Sequence, residues 1–470
     1  MWPPRVLHRG VPLRSNSVNT ANPPVSGAVQ QPRHRRALLL ATVAALAALG
    51  LYVLPRPYPR HVDTVAEWNA IAFDVCSGLG GGTRQSRALA VTHLAIHDAL
   101  NSIRPVYATY ARGLPRGPKA SPQAAVAAAA HDTLAVMAGD HQMQLDKAYE
   151  DAIDRLPDNA ARGEGISLGK AAARAILAMR SRDGADRAEL HLAPQPFAPG
   201  RYQPTPSRFD PPIVPGWRNV TPFAMRTAAQ FRPLPPPALD SEQYAQLYNE
   251  VKRIGGLHST QRTRQQTATA KFWSGDALAT WNEIARNVVN GRAGDRDRGN
   301  DLDLWQSARL FALLDAAAAD SFISGWEAKF HYLNWRPVTA IRRGDTDGNA
   351  ATSPDPDWSP LLVTPAHPEY PSTHSILASA SANVLQCALG SDAVPFAIAS
   401  DKVFFGRTRH FERFSQAANE VALSRLYAGA HFRLANTRGL EQGKKIGQHI
   451  CNTFLPPLAS AAAASVSANR

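Results

Sequence analysis

The chain is poor in cysteine. Its three cysteines, Cys76, Cys387 and Cys451, are too few and too scattered for a disulfide scaffold. None forms a C-x-x-C pair, which argues against zinc and iron–sulfur centres. They read as core residues or free thiols. No stretch alternates apolar and polar residues for long enough to predict a sheet, and no fixed-period repeat is visible. Acidic residues are missing altogether from positions 1–60, which hold eight arginines and no lysine. The net charge of +13 is therefore lopsided: residues 61–470 carry 43 bases against 38 acids. A body that balanced has no general electrostatic reason to bind nucleic acid. What is present is ordinary globular material, 44% hydrophobic and 19% charged, which excludes whole-chain disorder and fibrous architectures.

Residues 37–54, ALLLATVAALAALGLYVL, form an uncharged run behind Arg33, Arg35 and Arg36 and ahead of Pro55. Eighteen apolar residues just span a bilayer, and the upstream arginines favour the cytoplasmic side. Residues 1–60 thus read as a basic region carrying a cleaved signal or a membrane anchor, with membrane contact through this helix alone. The expected location is exported, in the periplasm or on the outer face of the cytoplasmic membrane.

From about residue 64 the pattern is helical, with Ala, Leu, Arg and Glu at i, i+3, i+4 spacing over 85–101, 122–138, 140–155 and 164–182. Between Pro194 and Pro237 stand 13 prolines, which exclude helix and central strand and predict a long ordered connection. Helical signals resume over 241–254, 262–291 and 301–333, then 374–389, 392–402, 410–428 and 437–454. The expectation is an all-α protein of two packed helical bundles. A half at 61–240, including the Pro-rich connector 194–237, precedes a half at 241–456 and a frayed tail at 457–470.

Three segments of the second half can hold one anion. Lys329 and Arg336 are seven residues apart, so on one helix both would leave the same face before Pro337 stops it. The aromatic flanks Trp326, Phe330, Tyr332 and Trp335 are too apolar for a free basic surface. Next, His367-Pro-Glu-Tyr-Pro371-Ser372-Thr373-His374-Ser375 precedes an apolar, Ala-rich run, and Pro then Ser and Thr before such a run is a helix-start signal. A helix start offers unpaired N–H groups and the positive dipole end, and His374 adds a proton donor or acceptor. Simple N-capping by Ser372 or Thr373 explains this segment equally well. Last, in Ser424-Arg425-Leu-Tyr-Ala-Gly429-Ala-His431 a glycine break brings Arg425 and His431 round together. Three cations, a helix N-terminus and two histidines describe a tetrahedral-oxyanion pocket fit for phosphoryl-like chemistry.

The spacing K-x6-R-P, then P-S-T-H, then S-R-x5-H resembles a superfamily signature. It is shared by type 2 phosphatidic acid phosphatases, bacterial class A acid phosphatases and vanadium-dependent haloperoxidases. Only Thr373 departs within the motifs, where Gly is usual. The segments RALAVTHLAIHDALNSI (87–103), KFWSGDALATWNEIA (271–285) and NWRPVTAIRRGDTDGN (334–349) are similar to the bacterial haloperoxidase-like branch. The resemblance implies a vanadate cofactor with His431 as the vanadium ligand. It implies that Lys329, Arg336, Ser372, Thr373 and Arg425 bind the oxyanion. His374 becomes the acid–base residue of the peroxide step, and Lys329 polarises the oxidant. The partners implied are hydrogen peroxide, a halide and a small organic acceptor; a homodimer is compatible with the pattern. Trp326 and His367 match positions that flank the halide, and an imidazole at 367 favours bromide or iodide over chloride. The signature normally carries an Asp four residues after its last His; here that residue is Ala435, with Asn436 next, so Asn436 or a backbone carbonyl would have to orient His431.

The same pocket suits a phosphatase using a phospho-histidine at His431, and the missing Asp leaves room for a non-catalytic oxyanion-binding protein. His93 and His97, i and i+4 with Asp98 adjacent, lack a third ligand and read as structural. Asp345-x-Asp347-x-Asn349 opens like a calcium loop but continues with Ala350 and Pro356, so it reads as a polar turn.

Overall fold

The computed structural model describes residues 63–190, 196–291, 302–399 and 408–458. The apolar run 37–54 and nearly all of the tail lie outside these residues. Among the described residues no helix is long and apolar enough to cross a membrane.

Helix starts follow local chemistry. Asp63 caps α1 (Thr64–Cys76), whose first-turn N–H groups it accepts. Next comes α2 (Gly82–Ile103), buried along almost its whole length. Ser121 caps α3 (Pro122–Met137), which has proline in its first turn. Then follow α4 (Gln142–Asp154) and α5 (Ala160–Arg180), the latter capped by Asn159. Beyond the Pro-rich connector, Ser241 caps α6 (Glu242–Gly255). The single helix expected over 262–291 is two, α7 (Arg264–Phe272) and α8 (Ala277–Val289). Asp276 after Ser274-Gly275 caps the second piece and so ends the run. A reciprocal Asp303–Gln306 capping box opens the 29-residue α9 (Leu304–Tyr332). Short α10 (Pro337–Arg342) and then α11 (Thr373–Leu389) follow. The helix expected over 392–402 is instead β1 (Phe396–Ala399), paired antiparallel with β2 (Thr408–Phe411). A short apolar run fits either state, and here packing of Phe396 on Phe411 and Phe414 favours the strand. The chain closes with α12 (Phe414–Tyr427) and α13 (Arg433–Thr453).

The architecture is all-α apart from that hairpin. Helices α2, α3 and α5 pack on one another, α11 packs on α9, α12 and α13, and the long α9 lies against both α2 and α11. One apolar core runs from Val65 to Leu455. At the joint sits a buried polar knot: Asn69 of α1 donates to Asn282 of α8 and meets His93 of α2, and Asn282 donates to Asp315 of α9. His97 belongs to a separate bond with Asp98, which accepts the N–H groups of Tyr110 and Ala111. Both histidines thus serve packing. Asp347 accepts from Asn349 and Thr352, so that segment is a closed polar turn. Cys76 is free and buried, but Cys387 of α11 and Cys451 of α13 form a disulfide, contrary to the free-thiol expectation. Their separation of 64 residues leaves no local signal for the pairing.

Two features set the position of the site. On α13, Gly439, Gly443 and Gly447 face α11: a Cβ on Gly439 would stand 2.6 Å from the carbonyl oxygen of Ser372, and one on Gly447 2.8 Å from that of Ala380. The two backbones therefore meet almost directly. The Pro-rich connector is laced down rather than loose. Its backbone bonds Leu333 and Ala366 through Tyr202 and Ile213. Its main hold is Asp320 of α9, fully buried, which accepts the N–H groups of Phe223, Ala224 and Met225 at 2.6, 2.9 and 3.0 Å. Burial pushes this carboxyl upward and the three N–H groups pull it down. An asparagine amide in its place would turn its own N–H toward one of these donors. Asp320→Asn is expected to lower stability by about 1–3 kcal/mol, read as a lower denaturation midpoint and faster proteolysis within 202–240.

Candidate active site

The three segments meet at the N-terminal end of α11. Lys329 stands on the last turns of α9, fully buried. Arg336 is not on the same helix: Leu333 takes a left-handed conformation, φ 52°, and ends α9 before Pro337 is reached. Arg336 is instead the N-cap residue of α10, with Pro337 in its first turn. Both cations reach one place by different routes. Gly429, at φ 73°, turns the chain between α12 and α13 and brings Arg425 and His431 to it.

The cations differ in how their donors are used. The Lys329 ammonium spends its three N–H groups on the carbonyls of Pro368, Glu369 and Pro371, at 2.9, 3.0 and 2.6 Å. It holds the loop before α11 and offers the pocket its charge. The Arg336 guanidinium bonds the carbonyls of His367 and Ala430 at 2.8 Å and contacts His431 Nε2 at 3.2 Å and His367 Nδ1 at 3.0 Å. Arg425 is 5% exposed and its Nε has no hydrogen-bond partner. Among the described residues no carboxylate pairs with it. Burial pushes Arg336 and Arg425 down to about 10, so both stay charged at neutral pH. Lys329 is lowered by burial and then by Arg336 and Arg425.

At the start of α11, Ser372 occupies the N-cap position without capping: its hydroxyl accepts no backbone N–H of the first turn. Ser375 donates to its hydroxyl at 3.1 Å instead. The capping explanation of this segment therefore fails, and the helix end is left for an anion. Thr373 is the first residue of α11. Its side chain lies over Gly325 of α9, where a Cβ would be 3.0 Å from Thr373 Oγ1, and that hydroxyl is buried without a partner. Asn436 Nδ2 is likewise an orphan. Trp326 donates its indole N–H to Ile213 of the connector and packs against His367, ring centroids 5.0 Å apart. His374 is partly exposed beside Arg425.

The residue that sequence reasoning missed is Glu369. Neither Asn436 nor a carbonyl holds His431; the Glu369 carboxylate does. Its Oε1 lies 3.0 Å from His431 Nδ1 and accepts the Phe432 N–H at 3.0 Å, while Oε2 accepts from Asn334 at 3.2 Å. Burial pushes Glu369 up, opposed by Arg336 and Lys329. Its position two residues before Pro371, inside a motif already singled out, was the available signal.

Orphaned donors around three buried cations fit a tetrahedral oxyanion, and a neutral imidazole nitrogen fits a metal ligand. Residues 309–457 match the family model of the VCPO second helical-bundle domain. Vanadium chloroperoxidase of Curvularia inaequalis is 25% identical over 472 aligned positions, covering 78% of this chain and 77% of that protein. In fold, the chain is similar to the first bacterial vanadium-dependent iodoperoxidase, TM-score 0.70 and 24% identity over 85% of this chain and 98% of the other. An apo-type bacterial vanadium-dependent chloroperoxidase superimposes with TM-score 0.64 and 19% identity, over 80% and 94%. Residues 309–457 thus carry the VCPO second helical-bundle domain, and over most of its length the chain is similar to vanadium haloperoxidases.

The buried charge makes stability pH-dependent. His367, His374 and His431 are all held well below the usual imidazole range, by burial first and then by the neighbouring cations. Below about pH 6.5 the unfolded chain binds protons at these positions and the folded chain does not, so stability falls on acidification, by up to about 1.4 kcal/mol per group and pH unit. The raised Glu369 acts in the opposite sense, as do the buried Asp315 and Asp320 and the paired His131 away from the site, while buried His93 acts with the three. Relative to the parent, His374→Gln is expected to lose less melting temperature between pH 7.5 and 5, and inorganic phosphate is expected to lessen the parent's own acid loss.

Proposed function

We propose that this chain is a vanadate-dependent peroxidase that uses hydrogen peroxide to oxidise halide, with bromide or iodide preferred over chloride. The carrying observation is Arg425: a buried guanidinium with an unpartnered Nε, beside two further buried cations and the uncapped end of α11. An oxyanion completes such a site and little else does. The likeness to vanadium haloperoxidases implies a vanadate cofactor. When bound, vanadate supplies a Lewis-acidic centre that activates peroxide without changing oxidation state.

The protein's own part follows from placement. His431 offers the Nε2 lone pair, Arg425 and the first turn of α11 bind oxygens, and Lys329 and Arg336 contribute charge from a fixed frame. His374 is neutral and reaches solvent, so it takes up the proton that peroxide releases. Its neighbours Arg425 and Lys329 disfavour the imidazolium until anionic charge arrives. Trp326 and His367 flank the halide. A neutral imidazole there keeps the site polar and hydrated, which suits the more readily oxidised halides, while a small organic acceptor takes the product. Export is part of the proposal: residues 37–54 supply the apolar run, and a Cys387–Cys451 disulfide agrees with an oxidising compartment.

Paired assays on one preparation test the activity. Bromide and iodide oxidation with vanadate and peroxide is expected, with phosphomonoester turnover without vanadate at least a hundredfold weaker; the reverse result overturns the reading. His431→Ala is expected to lose vanadate retention and turnover together, whereas His374→Ala keeps vanadate and loses turnover. The halide preference is tested at neutral pH and equal halide concentration. Chlorination as fast as bromination would sink it, and His367→Phe is expected to shift the preference toward chloride.

A further inference from the structure

Among the described residues, Glu369 is the one carboxylate bonded to the anion cluster, and its bonds are selective. Its side-chain oxygens bond neither the ammonium of Lys329, which takes the Glu369 backbone carbonyl, nor a guanidinium. Instead it takes the proton side of His431 Nδ1 at 3.0 Å and the adjoining Phe432 N–H at 3.0 Å, with Asn334 on its other oxygen. Glu369 and His431 are 0% and 1% exposed, so no water competes for this geometry. The far nitrogen of the imidazole, Nε2, faces Arg336, which can only donate. A fixed acceptor at one end and a fixed donor at the other leave one tautomer: proton on Nδ1, lone pair on Nε2. Ala435, four residues beyond His431 and in the first turn of α13, borders the same small cavity of about 20 Å³ as Glu369, Asn334, Tyr370 and Phe432.

We infer that Glu369 is the positioning residue of His431, and that positions 369 and 435 are alternative origins for one hydrogen-bond acceptor: a carboxylate delivered by the loop before α11 stands where a carboxylate on α13 would otherwise reach. The role of Nε2 as ligand rests on the vanadate reading; the tautomer does not. Glu369→Ala opens more room than an aspartate at 435 would fill, so the two positions are exchangeable in space as well as in chemistry.

The test uses the full chain, vanadate-free, with ¹⁵N-labelled histidine, and then equilibrium dialysis with orthovanadate. The parent is expected to show His431 protonated at Nδ1 alone. Glu369→Ala is expected to show a tautomer mixture and an orthovanadate affinity lower by about ten- to a hundredfold. Glu369→Ala/Ala435→Asp is expected to restore the single tautomer and to return affinity to within about tenfold of the parent. An unchanged tautomer and affinity in folded Glu369→Ala overturns the inference, as does a folded double variant that restores neither. If Glu369→Ala alone does not fold, the double variant decides: folded with the single tautomer supports the inference, and unfolded or mixed overturns it. A parent chain that retains no orthovanadate refutes the proposed function, while the tautomer series still decides the role of Glu369.

Discussion

The structure depends on keeping like charges buried together. Among the described residues, Lys329, Arg336 and Arg425 share one pocket in which the one nearby carboxylate, Glu369, bonds His431 rather than a cation, and burial works against all three cations. Such an assembly stands only if the donors are spent on fixed acceptors. The protein does this with main chain rather than counter-ions. Lys329 is surrounded by three carbonyls of the 368–371 loop, and Arg336 ties the loop at 367 to the turn at 430. The cations thus build the loops that confine them. What is left over, at Arg425 and the open end of α11, is the part of the charge that an anion can use.

The same constraint explains why the connector is ordered despite its prolines. A pocket whose cations are held by backbone carbonyls needs that backbone fixed from outside. The connector supplies the hold: the carbonyls of Pro233 and Leu234 receive the hydroxyls of Tyr332 and Tyr370, and Ile213 receives Trp326. Asp320, six residues before Trp326 on α9, returns the hold by gripping 223–225. The first helical group adjoins the site through α9, on which α2 packs and which its buried polar knot anchors at Asp315.

Much of this was legible in the sequence, because helix starts, glycine turns and prolines are written locally. The assembly of Lys329, Arg336, His374, Arg425 and His431 could be read from spacing, even though the shared helix face expected for the first pair does not exist: a left-handed Leu333, which no rule forecasts, puts Arg336 on a separate element. The rest is long-range. Glu369 and His431 are 62 residues apart and share no period. The Cys387–Cys451 pair and the split of the 262–291 helix depend on which surfaces meet. Hairpin β1–β2 was lost because four apolar residues carry no periodicity.

The glycine face of α13 has a consequence for how freely this chain can change. Where helices meet through side chains, each substitution alters the gap between their axes. Where they meet backbone to backbone, as α11 and α13 do along Gly439, Gly443 and Gly447, the gap is a gauge block set by the polypeptide itself. The distance from the start of α11 to His431 then does not drift as surrounding residues are exchanged. A fold shared at 24% identity with a TM-score of 0.70 is what such a gauge permits.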